Sequence, residues 1–128
     1  MDEQMRLENK TAMVTGAGSG FGAGIARKFA AEGAHVYVAD INLAGAQDIA
    51  DEIGGTAIAC DVTSAQSIQA AKDTIIAQSG HLDILVNNAG ATHLPQPMED
   101  VTEEDFAKVC AVNMQSVYLM AKTFVPHF

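Results

Sequence analysis

The chain has 128 residues, with 16 Asp and Glu against 7 Lys and Arg, and a net charge of −9 at pH 7. That acidity argues against a surface for nucleic acid or for an anionic membrane, and the length predicts one domain with a real core. No apolar run approaches the ~20 residues of a membrane helix, and the polar segment 1–6 lacks the apolar centre of a signal peptide, so a cytoplasmic location is expected.

The first predicted strand, residues 11–14, is apolar on both faces, as in a buried parallel sheet. It runs into Val14-Thr15-Gly16-Ala17-Gly18-Ser19-Gly20-Phe21-Gly22-Ala23-Gly24, a glycine-rich turn and helix start. Gly16, Gly20 and Gly22 are expected to take positive φ and to let a ligand come close. A helix follows over 21–32, with Phe21, Ile25, Phe29 and Ala30 at helical spacing and Gly33 at its end. Gly24 inside it costs about 1 kcal/mol against Ala, which a close helix–strand contact or plain tolerance accounts for.

A second strand, 34–40, ends at Asp40, and a helix over 43–53 is closed by Gly54-Gly55. The third strand, 56–60, ends at Asp61. Ser64 has the chemistry of a helix N-cap, with Ile68, Ala71, Ile75 and Ile76 inward and Gly80 as the stop. The fourth strand, 82–86, leads into Asn87-Asn88-Ala89-Gly90 and then a loop with Pro95 and Pro97. Thr102 and the acids after it suit a helix N-terminus. A longer helix is expected from about Asn113, burying Met114, Val117, Tyr118, Ala121, Phe124, Val125 and Phe128 as one stripe.

Strand and helix alternate throughout. That rhythm predicts an α/β fold, a doubly wound parallel sheet with strand order 3-2-1-4. The order reverses between strands one and four, and ligands bind in the crevice at the carboxyl ends there. The glycine turn and the Asn-Asn-Ala-Gly turn both fall at that crevice.

The chemistry follows. The N–H groups and positive dipole end of the helix after the glycine turn suit a diphosphate, so backbone amides hold an anionic dinucleotide without a basic patch. Asp40, ending the second strand, is placed to accept both hydroxyl hydrogens of an adenosine ribose. Its charge repels a 2′-phosphate, and no Arg or Lys stands at 17–19 or 41–42 to offset it, which favours NAD over NADP. Asp61 is placed to accept the exocyclic amine of adenine, or serves as a turn aspartate before Thr63-Ser64. Cys60 and Cys110 read as small buried hydrophobes. His35, His81, His93 and His127 have no ligand spacing, so no metal site is expected; His93 is either a pocket-lining or a solvated loop residue.

Thr15-Gly16-x-x-x-Gly20-x-Gly22, Asp40, Asp61-Val62, Asn87-Asn88-Ala89-Gly90 and Asn113 together resemble the short-chain dehydrogenase/reductase family, from about Lys10 onward. The resemblance implies a Rossmann-type fold and hydride transfer between a secondary alcohol or ketone and NAD. It implies Gly16, Ser19, Gly20, Phe21 and Gly22 around the diphosphate and nicotinamide side. It implies Asp40 and Ile41 at the ribose, Asp61 and Val62 at adenine, and Asn88, Ala89 and Gly90 along the cofactor. Asn87 and its neighbours would tie the central strands together. Asn113 resembles the family's catalytic asparagine, which holds a water of the proton relay.

The family also uses a Ser and a Tyr-x-x-x-Lys pair well downstream of that asparagine, roughly where residue 150 would be. Tyr118-Leu119-Met120-Ala121-Lys122 has the spacing but lies five residues after Asn113, and Asp105 stands where the serine is needed; it reads as helix packing. Residues 1–128 are therefore expected to be the NAD-binding N-terminal part of a larger single-domain fold. The rest would be supplied by another chain or by residues beyond Phe128, and the outer edge of the fourth strand would be bare. A homo-oligomer, a tetramer by family, acting on a small alcohol or carbonyl substrate is the implied setting. Rival readings are a catalytically silent NAD-binding module and a methyltransferase.

Overall fold

The computed structural model describes residues 5–91 and 95–128. His93 and residues 1–4 lie outside them. The sheet is four-stranded and parallel: β1 (Thr11–Thr15), β2 (His35–Asp40), β3 (Thr56–Ala59) and β4 (Ile84–Val86), in the order β3-β2-β1-β4. This is the doubly wound order anticipated from the pattern. β1 pairs with β2 over Thr11↔His35 to Thr15↔Ala39 and with β4 over Ala12↔Ile84 to Val14↔Val86. Every residue of β1 is buried, as a central strand requires, while β4 forms an outer strand that is only partly buried.

Alternation along the strands sends neighbouring side chains to opposite faces. Met13, Tyr37, Ala39 and Ile58 pack with Ile68, Ala71 and Ile75 of α3 (Ala65–Ser79) and with Met120 and Phe124 of α5 (Ser116–Phe124). Val14, Val36 and Val38 pack with Ala23 and Ala26 of α1 (Gly20–Ala31) and with Ala46, Ile49 and Ala50 of α2 (Leu43–Ile53). Helix ends follow their local chemistry. Gly54 (φ 72) and Gly80 (φ 77) take the left-handed position that closes α2 and α3. Asn42, Ser64 and Thr102 cap α2, α3 and α4 (Glu103–Cys110) by accepting from Gly45, Ser67 and Asp105 N–H groups.

Several expectations are corrected. Phe21 is 90% exposed, and α1 meets the sheet through Gly22, Ala23 and Ala26. Gly22 does not take positive φ; Gly16 (φ 63) and Gly20 (φ 58) do. Gly24 has nothing near its α-carbon for a Cβ to meet, so it is tolerated and makes no close contact. The last helix does not begin at Asn113: α4 runs through a π-turn, Ala111–Gln115, into α5 without a break.

The expected stripe on that helix holds at Phe124, which is fully buried, and fails at most of its other positions. Met114, Val117, Tyr118, Val125 and Phe128 are exposed, and the side facing the sheet carries Ser116, Met120 and Phe124. The helix is apolar on more than one side, so periodicity alone does not choose the inward one. Ser116 fits the inward side because its hydroxyl donates to the Val112 carbonyl at 2.5 Å. Phe124→Ala is expected to cost about 3–5 kcal/mol in urea unfolding. Tyr118→Ala, whose ring meets solvent and the Lys122 ammonium at 5.9 Å, should cost no more than about 1 kcal/mol.

Candidate functional site: a cleft at the carboxyl ends of the strands

Thr15 closes β1 with its hydroxyl turned toward the chain that leaves β4. The hydroxyl donates to the Val86 carbonyl at 3.3 Å and accepts from the Asn88 and Ala89 N–H groups at 3.0 and 3.1 Å. Thr15 is 1% exposed, so these bonds satisfy polar groups that water barely reaches. Asn88 adds a bond from Nδ2 to the Gly16 carbonyl at 3.2 Å. The glycine turn and the Asn-Asn-Ala-Gly turn are thereby one rigid unit. Asn87 itself is exposed, so the tie between the strands comes from its neighbours.

Gly22 is required by the same contact. A Cβ there would collide with the Gly16 carbonyl oxygen and sit 2.5 Å from Asn88 Nδ2. A Cβ on Gly18 would lie 2.9 Å from Asp40 Oδ2. That oxygen accepts from the Gly18 N–H at 2.9 Å, and Oδ1 accepts from the Asn42 N–H at 2.9 Å. The Asp40 carboxylate is thus oriented by the backbone, one bond on each oxygen, with lone pairs left over.

These turns enclose a cleft of about 640 Å³. Gly16, Ser19, Phe21, Asp40, Ile41, Asp61, Val62, Asn88, Ala89 and Gly90 line it, following the strand order from the end of β3 through β2 and β1 to β4. Gly20 and Gly22 are not part of this lining; Gly20 gives the turn a positive φ and Gly22 its close approach to Gly16 and Asn88. Asn113 is also outside it, yet bonds to its edge: Oδ1 accepts from the Ala91 N–H at 2.8 Å and Nδ2 donates to the Ala91 carbonyl at 2.7 Å. Asn113 lies in the π-turn, a distortion that recurs at functional sites. Tyr118 and Lys122 do not line the cleft.

Asp61 is both a turn residue and a wall of the cleft. Its Oδ1 accepts from the Thr63 hydroxyl at 2.6 Å and from the Thr63 N–H at 2.9 Å. Those two bonds, the hydroxyl's first, hold its carboxyl below the usual range against a small opposing effect of burial. Burial pushes the Cys60 thiol up, as suits an inert packed cysteine. Both cysteines are free. No cluster of metal-ligating side chains occurs among the described residues.

Cys60, Thr63, Ala91, Lys108 and Val112 line the cleft and escaped the reading of the sequence. Lys108 and Val112 are four apart on one helical run and five and one before Asn113. Lys108 and Val112 share one helical face, but residues one and five before Asn113 are out of phase with it, so helical spacing from Asn113 does not point to them.

The first turn of α1 is the electrostatic centre of the cleft. Ser19 stands at its N-cap but makes no side-chain capping bond, unlike Asn42, Ser64 and Thr102 at α2, α3 and α4. Its leading N–H groups are left without a side-chain acceptor at a positive dipole end. That donor set fits a diphosphate.

The chain belongs to the short chain dehydrogenase family, whose model matches residues 10–128. It is 49% identical over 129 residues to the 4-formylbenzenesulfonate dehydrogenase of Comamonas testosteroni, covering 97% of this chain and 51% of that one. It is 41% identical to the D-threitol dehydrogenase of Mycolicibacterium smegmatis, covering 95% and 48%. Among solved structures it resembles a 3-ketoacyl-(acyl-carrier-protein) reductase from Brucella melitensis complexed with NADH, with TM-score 0.93, 46% identity and coverage of 95% and 51%. The chain spans about half the length of these relatives.

Two outcomes check the site. Thr15→Val leaves the Asn88 and Ala89 N–H groups without their acceptor and should cost about 1–3 kcal/mol in chemical unfolding, with Thr15→Ser close to wild type. Thr63→Ala should raise the Asp61 pKa toward the ordinary carboxylate value, read by NMR titration. A depressed folded-state pKa stabilises above the unfolded value, and that stabilisation is lost as pH falls through the folded value. The substitution should therefore make acid unfolding begin at a higher pH.

Proposed function

We propose that these residues form the NAD-binding part of an oxidoreductase that moves hydride between a secondary alcohol or ketone and NAD(H). The observation that carries the reading is the pairing of an uncapped α1 N-terminus with an Asp40 carboxylate fixed by the Gly18 and Asn42 amides in one cleft. The α1 amides, at Ser19 to Gly22, take the diphosphate. Asp40 accepts from the adenosine ribose hydroxyls, with Ile41 beside it. Asp61, through its carboxylate, and Val62 take the adenine edge. Asn88, Ala89 and Gly90 line the path toward the reacting ring. When bound, the nicotinamide itself carries the hydride.

Asn113 is proposed to act on the reaction by holding the Ala91 backbone and, through the π-turn, a water for proton transfer. The acid–base hydroxyl and its lysine are assigned to residues outside this segment, because Tyr118 and Lys122 do not line the cleft. That same fact favours a second reading of residues 1–128 taken alone: they bind NAD and turn nothing over. The relatives named above act on different compounds, so the substrate is proposed only as a small alcohol or carbonyl compound. A cytoplasmic homo-oligomer is the proposed setting; the exposed apolar side of α4 and α5 is consistent with contact to another subunit.

The test is cofactor choice. The wild-type protein should bind NADH at least about tenfold more tightly than NADPH, because a carboxylate facing a 2′-phosphate costs on the order of kcal/mol at a surface dielectric. Asp40→Ala should weaken NADH and erase most of that preference. Unchanged discrimination in the variant would remove Asp40 from the ribose.

A further inference from the structure

We propose that Lys108 is a charge anchor for the dinucleotide, an affinity determinant of the cleft that lies outside the glycine turn and the strand-end acids. The inference rests on the reading of the cleft given above. It starts from where the cations are. Of the chain's 7 Lys and Arg, Arg27 pairs with Glu52 and Lys28 with Glu32. Lys72 donates to the Thr123 carbonyl, and Lys122 lies over the Tyr118 ring. Arg6 and Lys10 precede β1, at the end of the sheet away from the cleft. Among the described residues Lys108 is the cation that lines the cleft, and it has no carboxylate within 4.0 Å.

Its surroundings in the cleft are acidic. Asp40 and Asp61 line the same space, in a chain of net charge −9. A dianionic diphosphate entering there meets repulsion from both acids and attraction from the backbone dipole of α1. Lys108 supplies the missing full positive charge. It stands on α4 one turn before Val112, which also lines the cleft. Its flexible four-carbon stem lets the ammonium follow the ligand while the helix stays fixed. A coulombic role of this kind acts on any anionic ligand, is screened by salt, and is indifferent to which cation supplies it.

Calorimetric titration of the intact protein with NADH and with adenosine tests this. Lys108→Gln is expected to weaken NADH about two- to fivefold at low ionic strength, the range for one exposed charge pair. The difference should vanish at about 0.5 M salt, where charges more than a few ångströms apart are screened. Adenosine, which has no phosphate, should bind both proteins equally, and Lys108→Arg should restore NADH affinity. Equal NADH affinity of wild type and Lys108→Gln at low salt would overturn the proposal and leave the cleft's reading intact. So would a loss that persists in salt and extends to adenosine, which would mean packing by the stem. A wild-type protein that binds no NADH would overturn the reading of the cleft, and this proposal with it.

Discussion

One buried hydroxyl holds the site together. Thr15 sits where β1 ends, and its oxygen serves the Val86 carbonyl and the Asn88 and Ala89 amides at once. The two loops of the topological switch point come from chain segments some seventy residues apart. Without a group that bonds both, each loop would find its own conformation. A valine has the same shape and no oxygen, so the constraint is chemical and not steric. With the loops joined, the α1 N-terminus, Asp40 and the Asn-Asn-Ala-Gly turn face a common space.

Small residues let that space exist. Gly22, Ala23 and Ala26 bring α1 close to the sheet, and Gly22 has no room for a Cβ beside Gly16 and Asn88. The turn then lies low enough for Gly18 to bond the Asp40 carboxylate. Each glycine of the turn has a separate reason: positive φ at Gly16 and Gly20, close backbone approach at Gly18 and Gly22.

The strand order, the helix caps and the strand-end acids of the cleft were readable because they rest on local rules, while Ser19, Phe21, Ile41, Val62 and Asn88 to Gly90 came as individual site residues only with the family resemblance. A glycine after a helix, a serine before one and an acid at a strand end act through their own neighbours. The misreadings came where tertiary packing decides. Phe21 looks like a core residue by spacing, yet α1 is seated by alanines and the phenyl ring lies at the cleft mouth. Most of the α5 stripe was misplaced because several of its sides are apolar, and Ser116, a polar residue, takes an inward position by bonding its own helix. The π-turn has no signature in hydropathy. It becomes intelligible only once Asn113 is seen bonding Ala91 on both sides of its amide. Lys108 was overlooked because a lone lysine on a helix is unremarkable until the cleft beneath it is known.

The account's central claim is that the α1 amides grip the diphosphate of an adenine dinucleotide whose ribose rests on Asp40. A crystal structure of the protein grown with NADH tests it most directly. The account predicts diphosphate oxygens within hydrogen-bond distance of the amides at the start of α1 and both ribose hydroxyls on the Asp40 carboxylate. A dinucleotide bound elsewhere, or one lying in the cleft with its phosphates away from Ser19 to Gly22, would contradict it.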